Sequence, residues 1–133
     1  MIYGIGTDIV RVTRIRNILE RFGRKFAQRI LTPDELDEFD RSGKPAHFLA
    51  RRFAAKEAAV KALGTGFRQG IDFHHIGVDH DPQGRPLLAF YGPAQALEEA
   101  LGISSGLISL ADEEDHAVAF VMLLARPDAS HTP

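Results

Sequence analysis

Residues 46–63 carry the longest unbroken helical pattern in the chain, AHFLARRFAAKEAAVKAL, which runs into Gly64, Thr65 and Gly66. Nothing else constrains the fold as much, because a helix of this length must bury its apolar stripe against other elements. Phe48, Leu49, Phe53, Val60 and Leu63 recur at helical spacing, and Gly64 stands where a left-handed C-cap belongs. At about 100° per residue, Glu57 falls at the edge of the stripe and Lys56 points nearly into its middle. A lysine there must snorkel, pair or serve a site. Glu57 and Lys61 are helical neighbours, and on the helix alone they read as a surface ion pair worth a few tenths of a kcal/mol.

The flanking segments supply partners for that helix. Residues 2–10 (IYGIGTDIV) read as a strand in which Gly4 and Gly6 let another backbone approach closely. Residues 12–22 place Val12, Ile15, Ile18, Leu19 and Phe22 on one helical face and leave Arg11, Arg14 and Arg21 on the polar side. A second short helical piece follows at 24–30. Thr32-Pro33-Asp34-Glu35 is a helix start, with an N-cap threonine, proline at the first position and glutamate at the capping-box position. Beyond the long helix, 75–81 and 86–91 read as a hairpin, 93–102 as a short helix, and 107–111 with 116–125 as a second hairpin. This order predicts a single α+β domain over residues 1–125, a small antiparallel sheet packed on the long helix and shorter helices. Residues 126–133 are expected to be a disordered tail.

Composition excludes several classes. The chain of 133 residues is 44% hydrophobic and 26% charged, as an ordinary globular domain is. No apolar run reaches the length of a membrane span, and the N-terminus lacks the zones of a signal peptide. There are no cysteines, so disulfides and thiolate metal sites are out. A cytoplasmic protein is the expectation. The net charge of −2 hides a basic N-terminal region: residues 1–30 hold seven basic side chains against Asp8 and Glu20. Such a face suits docking of an anionic partner, although a solvated helix would look the same.

The chemistry-bearing candidates are few. Asp8 is a carboxylate within an otherwise apolar strand, which is costly unless it is paired, capping a helix or metal-bound. If Asp8 and Glu57 meet in space, two carboxylates without cysteine suit a hard, oxygen-ligated ion such as Mg²⁺, and Lys61 beside them suits a phosphate. GIGTDI lacks the third glycine of a dinucleotide fingerprint, and GTGFRQG is not a phosphate-binding P-loop. On local evidence the latter is a helix stop and a turn. His74 and His80 would share one face of a strand with His75 opposite, which reads as surface rather than a metal cluster.

Taken together, GIGTDIV at 4–10, FLARRFAAKEAAVKALGTG at 48–66, the GRP turn at 84–86 and SLADEEDHAVAFV at 109–121 resemble the holo-[acyl-carrier-protein] synthases. These are the short branch of the 4′-phosphopantetheinyl transferases. The resemblance covers about residues 2–124 and implies transfer of the phosphopantetheine arm of coenzyme A to a serine of apo acyl carrier protein for fatty acid biosynthesis. It implies Mg²⁺ held by Asp8 and Glu57, Lys61 on the diphosphate, and Lys56 beside it. Lys44 and Arg52 would lie near the 3′-phosphate of coenzyme A, and Gly64, Thr65, Gly84, Arg85 and Pro86 would line the nucleotide cleft. It also implies a homotrimer with active sites between protomers. An acidic carrier gives the basic first helix a partner, with Arg14, Arg21 and Arg24 as the docking candidates.

One position departs from the pattern. Where some members carry a histidine, this chain has Leu107. No catalytic histidine is assigned, and the base is open between Glu57, a metal-bound water and an acidic residue near Asp34 and Glu35. The competing reading is a non-enzymatic module whose basic face holds an acidic protein. Nucleic acid ranks lower, because no aromatics interleave with the basic residues and the net charge is negative.

Overall fold

The structure is a computed structural model that describes residues 1–127; the rest of the expected tail lies outside the described residues. Strand β1 (Ile2–Arg11) leads into α1 (Val12–Phe22), α2 (Arg24–Ile30) and α3 (Pro33–Asp40), and then into the long helix α4 (Pro45–Leu63). A 3₁₀ turn (Phe73–His75) opens the hairpin β2 (Ile76–His80) and β3 (Pro86–Phe90). Helix α5 (Gly92–Ala100), β4 (Ile103–Asp112) and β5 (His116–Ala125) complete the fold. Two antiparallel sheets result, one ordered β1-β5-β4 and the other pairing β2 with β3. The expected α+β arrangement is the observed one.

Helix α4 is central rather than one-sided. The stripe of Phe48, Leu49, Val60 and Leu63 is buried, and so are Ala54, Ala55, Ala58, Ala59 and Ala62 around the rest of the helix. A helix apolar on nearly all sides belongs inside a fold. The alanine side packs on β1 and β5, whose inward residues Ala117, Ala119, Val121 and Leu123 are fully buried. Small residues on both surfaces permit a very close approach. A Cβ on Gly4 would land on the carbonyl of Ala62, and one on Gly6 on the carbonyl of Ala58. Glycine is therefore required at both positions for steric reasons.

The capping box at Thr32 forms, with Glu35 N–H donating to Thr32 Oγ1 and Thr32 N–H donating to Glu35 Oε1 at 2.8 Å. Gly64 caps α4 at φ 87°, in the left-handed region. Two boundaries differ from the sequence expectation. His74 and His75 lie in the 3₁₀ turn, not on a strand, because Asp72 Oδ1 accepts from His74 N–H and the His75 ring accepts from Asp72 N–H. Strand β4 begins at Ile103, ahead of the expected 107, since Ser105 and Gly106 pair with Leu124 and Leu123 despite poor strand propensity. The opposite face of the three-stranded sheet stays open: Ile5, Ile9, Leu107, Val118 and Phe120 are all exposed there.

Candidate functional site

Strand β1 and the last third of α4 bring three of the candidates together. Asp8 lies where β1 pairs with Ala119 of β5, its side chain 17% exposed. The Lys61 ammonium donates to Asp8 Oδ1 at 3.1 Å and to the Thr7 carbonyl at 3.0 Å. Glu57, one helical turn before Lys61, is half-buried and feels the charges of both. Its pKa is held above the ordinary glutamate value, first by burial and then by the negative charge of Asp8. Lys61 and Arg14 pull it the other way. Two carboxylates and two cations thus share one corner where β1, α1 and α4 meet. An open trough of about 590 Å³ lies on the β1–α1 side of that corner, lined by Ile9, Arg11, Thr13, Arg14, Asn17 and His116.

This donor set fits Mg²⁺. Among the described residues no group of three or more histidine or carboxylate side chains is placed to hold a metal. Mg²⁺ takes one or two carboxylates and keeps its other positions for water and substrate phosphates, so a two-carboxylate site is sufficient for it. The like-charge crowding that lifts Glu57 is what a divalent cation would relieve. Asp8 and Glu57 would hold the ion and Lys61 would face the phosphate oxygens.

Other expected residues lie elsewhere. Gly64 and Thr65 come three and four residues after Lys61, just past the C-terminal end of α4, with their backbone N–H groups donating to the Val60 carbonyl. Gly84, Arg85 and Pro86 form the tip of the β2–β3 hairpin, where Asp81 Oδ1 accepts from the N–H of Arg85. Among the described residues none of these three hydrogen-bonds to the carboxylate corner. Lys44 is exposed at the opposite end of α4, about 20 Å of helix from Glu57. It lines a second trough of about 530 Å³ with Arg16, Glu20 and His47. One chain by itself does not bring Lys44 to the carboxylates.

Lys56 and Arg52 are corrections to the expected nucleotide-binding set. Lys56 is fully buried, and its ammonium donates to Glu35 Oε1 at 2.6 Å, Ile30 O at 2.7 Å and Phe73 O at 3.0 Å. Burial pulls its pKa down and Glu35 pushes it back. Arg52 is 3% exposed, donates to Glu38 Oε2 and the Val78 carbonyl, and lies over the Phe48 ring. Both cations are spent inside the chain. Glu35 drops out as a base for the same reason, being 2% exposed with both oxygens engaged. Asp34 stays exposed on the first turn of α3. Leu107 is exposed on the open sheet face.

Sequence reasoning missed two features. The sequence points to Arg14 only as a docking residue, yet its charge reaches Glu57. Glu35 is the counter-ion of Lys56, and the capping-box signal marked its position without revealing its partner.

On the basic face of α1 and α2, Arg21 lies over the Phe22 ring at 5.1 Å. Arg24 forms a two-pronged pair with Asp40 at 2.9 and 2.7 Å. Between α1 and α2 is a groove of about 320 Å³ lined by Ile18, Phe22, Phe26, Lys25 and Arg29. No helix of the described residues is long and apolar enough to cross a membrane.

The chain is similar in sequence and fold to known proteins. A sequence profile of the 4′-phosphopantetheinyl transferase superfamily matches residues 4–121. The holo-[acyl-carrier-protein] synthase of Nitrosococcus oceani is 55% identical over 130 residues, covering 98% of this chain and 84% of that protein. The crystal structure of the Neisseria meningitidis synthase is 54% identical, with a TM-score of 0.86 over 92% of this chain and 98% of that one. A Bacillus anthracis synthase in complex with CoA (3′,5′-ADP) is 34% identical, with a TM-score of 0.79 over 95% and 99% of the two chains. The chain belongs to the 4′-phosphopantetheinyl transferase superfamily, in its holo-[acyl-carrier-protein] synthase family.

Proposed function

We propose that this chain transfers the 4′-phosphopantetheine arm of coenzyme A to a serine of apo acyl carrier protein, in a Mg²⁺-dependent reaction that serves fatty acid biosynthesis in the cytoplasm. The serine Oγ forms a bond to the β-phosphorus of coenzyme A, and the bond from that phosphorus to the bridging oxygen breaks. Adenosine 3′,5′-bisphosphate leaves. The observation that carries this reading is the meeting of Asp8, Glu57 and Lys61 at one corner. Bound Mg²⁺ would neutralise the diphosphate and the charge growing on the leaving group. Lys61, 51% exposed, orients the diphosphate by donating to its oxygens. Asp8 and Glu57 would hold the metal ion. With Glu35 buried and fully engaged, the serine proton is left to Glu57, to a water on the bound metal or to an acidic residue near Asp34.

The carrier docks on α1 and α2. Arg14 and Arg21 give that face its positive charge, Arg24 beside them has its charge offset by Asp40, and the α1–α2 groove accepts an apolar side chain from an acidic helix. The open sheet face of Ile5, Ile9, Leu107, Val118 and Phe120 is the surface on which three copies assemble. Assembly also offers a way to bring Lys44 and the Gly84–Pro86 turn of one copy toward the carboxylates of another.

The test is a carrier-loading assay with purified protein, coenzyme A, Mg²⁺ and apo carriers, read by mass spectrometry. A single phosphopantetheine mass increase is expected. Absence of that increase with every apo carrier and divalent metal tried would refute the transferase. The binding-module alternative predicts carrier binding that needs neither coenzyme A nor metal and survives Lys61→Ala.

A further inference from the structure

The largest buried polar feature of the described residues, the cluster of Glu35, Lys56 and Arg52, has no part in the reaction derived above. Its bonds reach several segments. Lys56 ties α4 to the end of α2 through Ile30, to the first turn of α3 through Glu35, and to the 3₁₀ turn through Phe73. Glu35 Oε2 accepts from Val78 N–H of β2 at 2.9 Å and lies 3.4 Å from Arg52 Nη1. Among the described residues no buried side-chain nitrogen or oxygen is left without a partner. Stability is a weak explanation for this arrangement, because well-packed apolar residues of similar volume often serve as well or better than a buried ion pair. Directional bonds contribute something that an apolar contact does not, namely a defined rotation of the helix.

Rotation matters for α4. Its sheet-facing side is alanine against a strand with glycines at positions 4 and 6, so no large side chain on that side keys the rotation of the helix. Lys56 and Arg52 lie on the opposite side, and Glu57 sits about 100° around from Lys56. A roll of roughly 20° would carry a side-chain tip about 2 Å, enough to take Glu57 out of register with Asp8.

We propose that Lys56, held by Glu35, is a positioning residue that fixes the rotation of α4 and so delivers Glu57 to Asp8. The proposal rests on the reading of Asp8 and Glu57 as ligands of a divalent metal. It predicts that the buried cluster controls metal affinity at a site it does not touch, as groups that orient a ligand commonly do.

The test uses the full chain with Mn²⁺ as the probe, in the absence of coenzyme A, read by electron paramagnetic resonance and calorimetry. Lys56→Met keeps the length of the side chain and removes its bonds, and Glu35→Gln keeps the shape and removes the charge. Folding is checked by circular dichroism and thermal midpoint. A folded variant is expected to bind Mn²⁺ about tenfold more weakly or worse. Its carrier loading should recover as Mg²⁺ is raised, which a purely structural lesion would not produce. Wild-type Mn²⁺ affinity in a folded variant would overturn the proposal, as would lost turnover with an unchanged metal requirement. Failure of both variants to fold would also overturn it, in favour of a structural role alone. Wild-type protein that binds no Mn²⁺ would refute the metal reading itself, and the proposal with it.

Discussion

Gly6 of β1 lies against the carbonyl of Ala58 in α4 so closely that any side chain there would occupy the carbonyl's space. The obstruction is backbone, which does not swing aside as a side-chain tip would. Gly6→Ala is therefore expected to destabilise the protein by about 3 kcal/mol, at the upper end of ordinary overpacking. It should also weaken metal binding, because the strand carrying Asp8 must back away from the helix carrying Glu57. Denaturant unfolding checks the first expectation. A variant as stable as the parent would mean that β1 and α4 can separate freely.

Lys61 forms a half-exposed pair with Asp8, so its removal should cost less than about 1 kcal/mol of stability. Its loss from a site that binds a diphosphate is another matter. Lys61→Ala is expected to lower carrier-loading turnover on the order of 100-fold. Steady-state kinetics and a melting curve on the same preparation separate the two effects. Equal losses of stability and turnover would point to a structural lysine.

The raised pKa of Glu57 has a definite sign in stability. The folded, metal-free chain holds the Glu57 proton more tightly than the unfolded chain does. This contribution is complete below the ordinary glutamate pKa and is lost as pH rises through the raised one. Glu57→Gln should accordingly stabilise the metal-free protein at neutral pH and flatten its stability across that window, while abolishing metal binding. Thermal melts from pH 4 to 8, with and without Mg²⁺, read both effects. An unchanged slope would place the proton elsewhere.

Asp40 neutralises Arg24 on the proposed docking face through an exposed, two-pronged pair. Removing that anion should leave the fold intact and make the face more positive. Asp40→Asn is expected to lower the KM for an acidic carrier by roughly twofold, with the gain fading at high salt. A gain that persists in high salt would require another explanation.

Leu107 and Phe120 stand exposed on the open sheet face, 55% and 40% accessible. If copies assemble there, Leu107→Glu or Phe120→Glu should yield monomers by light scattering, with carrier loading lost and the circular dichroism spectrum retained. A monomeric variant with full activity would show that each chain carries a complete site.

Much of this molecule was legible along the chain. The α4 periodicity, the Gly64 cap, the Thr32 capping box and the β1 strand all depend on neighbours within a few residues, and each formed as expected. The sequence by itself determined which residue types were available for chemistry: two carboxylates, a lysine four positions after one of them, and no thiol. Only the tertiary structure decided how they were used. Lys56 and Glu57 are adjacent in the chain, but a rotation of about 100° sends one into the interior to Glu35 and the other to the surface corner with Asp8. Periodicity showed that Lys56 needed a partner without showing that Glu35, twenty-one residues away, would supply it. Long-range pairing depends on how layers stack, and side-chain spacing carries no record of that.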